Sequence, residues 1–118
     1  MYATIAYWYL ADGAEAPAAH AALRELAAEV QATEPGTLMY LAHTPGASAL
    51  PPVSPRQIVF FESYRDKGAF TAHITGKAFT GFLARHGSLF AKDANDNVFM
   101  EWTEVDRLAG FVRLEVAG

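Results

Sequence analysis

The opening strand-like run, Tyr2 to Leu10 (YATIAYWYL), has no polar face. Side chains alternate sides along a strand. One side carries Tyr2, Thr4, Ala6, Trp8 and Leu10, and the other Ala3, Ile5, Tyr7 and Tyr9. A strand that is apolar on both sides must be covered on both sides. That requirement excludes a sheet with one wet face and asks where two layers of cover come from. The 118 residues fit a single domain, 1–118, too small for two independent cores. At 52% hydrophobic and 19% charged the chain is apolar for a globular protein. The excess belongs in a lined cavity or a subunit interface, where it is hidden from water.

The rest of the chain supplies one layer. Asp12-Gly13 reads as a turn. Pro17 to Thr33 places Ala19, Leu23, Leu26, Ala27 and Val30 on one helical stripe. Pro17 suits a first helical turn, and Glu34-Pro35-Gly36 ends the helix. Thr37 to His43 reads as a second strand, and residues 44–55, with four prolines, as a loop. Such a loop is either functional or a tolerated surface insertion. Arg56 to Tyr64 (RQIVFFESY) is the third strand. Asp66 caps a helix to about Ile74, Thr75-Gly76 interrupts it, and a second segment runs from Lys77 to about Phe90. Asp93 to Asn97 is a polar turn. Val98 to Val105 is the fourth strand, and Leu108 to Val116 adds a short fifth.

The order β-α-β-β-α-β is the ferredoxin-like split arrangement, an α+β fold with an antiparallel sheet and helices on one face. The other face stays apolar through Val59, Phe61 and one set of β1 side chains. A second copy of the chain is the natural cover, so a homodimer is expected.

Several classes are excluded. The chain has no cysteine, which removes disulfides, thiolate metal sites and a cysteine nucleophile. Net charge is −4 and no basic stripe occurs, so no nucleic-acid partner is expected. No apolar stretch reaches membrane-spanning length, and the opening residues lack a leader's basic region, so a cytoplasmic location is expected. His20, His43, His73 and His86 share no ligand spacing, so no metal is expected. Nucleotide-binding glycine loops and a nucleophile elbow are missing, and Ser48, Ser54, Ser63 and Ser88 have no triad context.

Phe61-Glu62-Ser63-Tyr64-Arg65-Asp66, then Ala69-Phe70, His73, Phe79 and Phe82, resembles the antibiotic biosynthesis monooxygenase family. Glu34-x-Gly36-x-x-x-Tyr40 and Gly110-Phe111-x-Arg113 fit the same pattern. The resemblance implies a dimeric α/β barrel of ferredoxin-like subunits with a pocket between sheet and helices. It further implies oxidation of a phenolic or quinol-type aromatic by O2 without metal or flavin. Haem-degrading relatives use a strand Asn, a Trp and an axial His. Here the first strand has no Asn, Tyr64 stands at the Trp position, and Phe82 falls near the axial His, leaving His86 one turn later.

Glu62 and Tyr64 share a strand face with Ile58 and Phe60, and His73 lies on the same helical side as Phe70. A Glu62–His73 contact is therefore expected. Either it orients a catalytic histidine that moves a phenolic proton, with Tyr64 beside it, or it is a structural hydrogen bond. Tyr7, Tyr9, Tyr40, Phe60, Phe79, Phe82 and Trp102 either line a flat aromatic pocket or pack a core. Of the two β1 faces, the Tyr7 and Tyr9 face is taken as the one toward the helices. Three functional readings follow: a cofactor-independent monooxygenase, a non-catalytic dimeric ligand-binding or stress-response domain, and a haem-binding relative.

Overall fold

The computed structural model describes residues 1–115. Strand β1 (Tyr2–Tyr9) leads into helix α1 (Ala16–Thr33), then strands β2 (Thr37–His43) and β3 (Gln57–Tyr64). Helices α2 (Lys67–Thr75) and α3 (Lys77–His86) and strand β4 (Glu101–Val105) complete the order. The sheet runs β2-β3-β1-β4, and every neighbouring pair is antiparallel. This is the ferredoxin-like α+β arrangement, with the second helix broken in two.

Local chemistry explains the boundaries. The Asp66 carboxylate accepts from the Ala69 backbone N–H at 2.8 Å and caps α2. Gly76 separates α2 from α3, and the chain passes so close there that a Cβ would stand 2.7 Å from the Ala72 carbonyl oxygen. In α1 the predicted stripe is the buried one, through Ala19, Leu23, Leu26 and Val30. It packs with Phe79 and Phe82 of α3 against Trp8, Ile58 and Phe60 of the sheet. Among the described residues, helices therefore cover one sheet face only.

Four expectations need correction. The helix-facing side of β1 is Tyr2, Thr4, Ala6 and Trp8, not Tyr7 and Tyr9. The reason is chemical. The Trp8 ring fills the aromatic core, 4.6 Å from Phe60 and 5.2 Å from Phe90 between centroids. Tyr9 instead needs a partner for its hydroxyl, which it finds on the opposite face by donating to Glu101 Oε1 at 2.6 Å. Second, α3 stops at His86; a single 3-10 turn, Gly87–Leu89, carries the chain to the fully buried Phe90. Third, β4 begins at Glu101 rather than Val98, which only bridges Lys92 across the Asp93–Asn97 turn. Asp93 holds that turn by accepting from the backbone N–H groups of Asn95 and Asn97. Fourth, residues 108–115 form no strand, and Val116, the end of the expected fifth strand, lies outside the described residues.

The other sheet face carries Ile5, Tyr7 and Val59, half-buried, with Met39, Leu41 and Phe61 exposed. Leu41 is 45% and Phe61 41% accessible although both sit within strands. Beyond β4, Leu108 and Leu114 are almost fully exposed. No helix among the described residues is long and apolar enough to cross a membrane.

Candidate functional site

A cavity of about 150 Å³ lies between the sheet and α2–α3. Its polar end is built from Thr4 of β1, Tyr40 of β2, Glu62 of β3 and His73 of α2. The register sets Thr4 and Tyr40 on either side of Glu62 across three adjacent strands. The remaining wall is apolar and largely aromatic, from Trp8, Phe70, Phe79 and Trp102 with Ile74 and Met100. Larger hollows of about 320 and 600 Å³ lie beside His20 and His43 and beside Pro35. They include the partly buried Glu34, beside Pro35, whereas the smaller cavity gathers three polar side chains that are buried more deeply, Thr4, Glu62 and His73. Buried polar groups converging on apolar walls mark a ligand site, so the smaller cavity is the functional candidate.

His73 is 2% exposed, and its ring is set by its neighbours. Tyr40 meets it edge-on at 5.0 Å, Phe79 at 5.2 Å and Tyr64 at 5.6 Å between centroids. The expected Glu62–His73 contact is not the one formed. His73 Nδ1 is 2.7 Å from Glu34 Oε1. Glu62 instead accepts a short hydrogen bond from the Tyr64 hydroxyl through Oε1. Strand geometry explains this exchange: Glu62 and Tyr64 project from the same face two residues apart, while the end of α1 delivers Glu34 to α2.

Burial pushes the Glu62 carboxyl up from its ordinary value, outweighing the opposite pull of the Tyr64 hydrogen bond and of His73. Burial likewise raises the Tyr64 phenol, with the Glu62 charge adding to the effect. Tyr40 is pushed well above the usual phenol value by burial, and the charges of Glu62 and Glu34 act in the same direction. Both phenols are thus held as neutral hydroxyls at the polar end.

The predicted site residues divide clearly. His73, Glu62, Tyr40, Phe79 and Trp102 meet at the cavity. Tyr64 does not line the cavity; it stands behind it, donating to Glu62 and packing its ring against Phe70 and His73. Phe60 backs the wall, packed on Trp8 and Tyr40. Phe82 lies in the core against Phe90 and His86. Tyr7 and Tyr9 lie on the far face of the sheet. Trp8, Thr4, Phe70, Ile74, Met100 and the Glu34 contact were missed as site features. The signal for Glu34 was its place at the head of the Glu34-x-Gly36-x-x-x-Tyr40 pattern, which named the residue but not its partner. No residue of the 44–55 loop lines the cavity.

The cavity fits no haem. Its volume matches the roughly 150 Å³ of a cavity that takes benzene, and a porphyrin is several times larger. His86 stands outside it, packed on Phe82 and 3.9 Å from Glu25. Among the described residues no three His, Asp or Glu side chains gather as a metal-ligand set.

Residues 1–85, which include the whole polar end, match the family model described as antibiotic biosynthesis monooxygenase. The chain belongs to this family. Solved structures share the family's fold with it at low identity. A protein of Pseudomonas aeruginosa is 24% identical with a TM-score of 0.70, covering 92% of this chain and 94% of its own. One of Mycobacterium tuberculosis is 20% identical with a TM-score of 0.69, covering 92% and 96%. A third, named an antibiotic biosynthesis monooxygenase, is 20% identical with a TM-score of 0.66, covering 92% and 100%. No curated protein matches the chain. Met100 and Trp102, which close the cavity on the β4 side, lie beyond the segment that matches the family model.

Proposed function

We propose that this family member is a monooxygenase that oxidises a small phenolic or quinol-type aromatic with O2, with the substrate itself as reductant. The observation that carries the reading is one buried histidine, braced by a carboxylate, at the polar end of an aromatic cavity of one-ring size. A flat ring fits between Trp8, Phe79 and Trp102, and its hydroxyl meets His73, Tyr40 and Glu62. His73 accepts the hydroxyl proton, which makes the ring electron-rich enough to reduce oxygen. For a quinol the balance closes without another reductant. Quinol and O2 give hydroxyquinone and water: the ring loses four electrons, one oxygen atom enters it and the other leaves as water.

The cavity volume predicts a size order. Purified protein freed of metal should consume oxygen faster with a one-ring hydroquinone than with a two-ring one, and slowest with a three-ring anthrone. Oxygen uptake equal to the buffer rate with all three would refute the proposal. Thermal stabilisation by the same compounds without uptake would point instead to a binding domain.

The proposal extends to a homodimer that covers the open sheet face. Met39, Leu41 and Phe61 form an apolar surface inside a sheet, where a soluble monomer would carry polar residues. Sedimentation should give about twice the 12.8 kDa chain mass, and Phe61→Glu should shift the species to monomer. A wild-type monomer at micromolar concentration would rule this assembly out.

A further inference from the structure

Glu34 opens the Glu34-x-Gly36-x-x-x-Tyr40 pattern, but nothing in that spacing says that it meets His73. Its placement is nonetheless tightly determined. Glu34 is the last residue of α1's cap, with its backbone N–H donating to the Val30 carbonyl at 2.9 Å. Thr37 N–H returns to the Glu34 carbonyl at 3.0 Å, and the Arg65 N–H donates to the Gly36 carbonyl at 2.8 Å. Between these bonds Gly36 lies against α2 so closely that a Cβ there would stand 2.8 Å from the Ala69 Cβ. Only glycine permits this approach without displacing α2. The turn is thus clamped to the helix that carries His73.

The carboxylate is used on one side only. Oε1 takes both His73 Nδ1 at 2.7 Å and the Thr37 hydroxyl at 3.0 Å. Oε2 is buried and has no hydrogen-bond partner among the described residues. An ionised carboxylate can only accept, so the histidine nitrogen it touches must be the one that bears hydrogen. The hydrogen bond made by one ring nitrogen settles the state of the other. Neutral His73 is then protonated on Nδ1, and Nε2 keeps its lone pair.

We infer that Glu34 is the positioning residue of this site: it holds neutral His73 in the Nδ1–H form, so that Nε2 serves the cavity as a proton acceptor. This rests on the proposed function for its rate consequences, but not for the tautomer. Glu62, already engaged by the Tyr64 hydroxyl, does not take this part. The arrangement assigns the two carboxylates to two tasks, with only Glu62 lining the cavity. Glu34 orients the base from behind, and Glu62 faces the ligand beside Tyr40.

The test reads the His73 ring directly. In ¹⁵N-labelled protein above the titration of the ring, two-bond proton–nitrogen correlation should show the Nδ1–H form in the wild type. Glu34→Ala should convert it largely to the Nε2–H form and lower kcat on the best hydroquinone about 10- to 100-fold, with KM changed by less than about threefold. Glu34→Gln keeps an oxygen acceptor for Nδ1 and Thr37, so it should retain the Nδ1–H form and recover most of kcat. It also covers the case in which the alanine variant does not fold. Persistence of the Nδ1–H form in Glu34→Ala, or its loss in Glu62→Gln instead, would overturn the assignment. If the wild type oxidises none of the aromatics, the tautomer measurement still decides the role of Glu34 while the proposed function fails separately.

Discussion

Replacing His73 with asparagine should lower turnover about 10²- to 10⁴-fold, the usual contribution of a positioned general base, while leaving the fold intact. Asparagine is the informative choice because its amide N–H occupies nearly the place of the imidazole Nδ1–H. It can still donate to Glu34, whose carboxylate is only 14% exposed. Alanine would leave that carboxylate buried without its partner, a costly state that confuses loss of chemistry with loss of structure. Asparagine has nothing at the Nε2 position, so it removes only the group proposed to take the proton. Oxygen-uptake kinetics on the best hydroquinone measure the rate, and circular dichroism with a denaturant midpoint checks the fold. Activity within a few-fold of wild type would remove His73 from the chemistry and leave it a structural residue of the Tyr40–Phe79–Tyr64 cluster.

The second large effect is structural. Trp8→Ala should destabilise the protein by about 3–5 kcal/mol, the range for deleting a buried large aromatic. Trp8 is 3% exposed, and four aromatic rings surround it: Phe60 at 4.6 Å, Phe90 at 5.2 Å, Phe82 at 5.9 Å and Phe79 at 6.1 Å. Three of these come from outside β1's strand partners, so the Trp8 ring joins the sheet to α3 and to the turn after it. Ordinary domains have only about 5–15 kcal/mol of stability in total, so the loss is a large fraction. The control is Tyr9→Phe on the other face, which removes the hydroxyl bond to Glu101 at the edge of solvent and should cost about 1 kcal/mol or less. Urea midpoints at fixed protein concentration give both values. A larger loss for Tyr9→Phe than for Trp8→Ala would reverse the facing of β1. Trp8 also forms part of the cavity wall, so a folded Trp8→Ala protein should bind ring compounds of larger size.

The two substitutions separate what local pattern can specify from what packing specifies. Alternation along β1 and β3 is a property of the chain, and it grouped Ile58, Phe60, Glu62 and Tyr64 on one face before any contact was known. The breaks at Glu34-Pro35-Gly36 and Thr75-Gly76 and the cap at Asp66 follow from backbone chemistry within a few residues. They were therefore legible, as were the element order and the apolar second face. The family motif likewise led to His73, Glu62 and Tyr40, which do meet at one cavity.

Determined by sequence alone, then, are the order of elements, the residues that share each strand face, and an apolar sheet that needs cover on both sides. Tertiary structure decided which face of β1 turns to the helices and which carboxylate His73 touches. Alternation relates neighbours to one another but carries no reference to a layer above or below, so Trp8 and Tyr9 are equivalent until the aromatic core and Glu101 select between them. The Glu34–His73 bond joins residues 39 positions apart. It exists because Gly36 lets the end of α1 settle against Ala69, a steric fit between distant segments that no local period records.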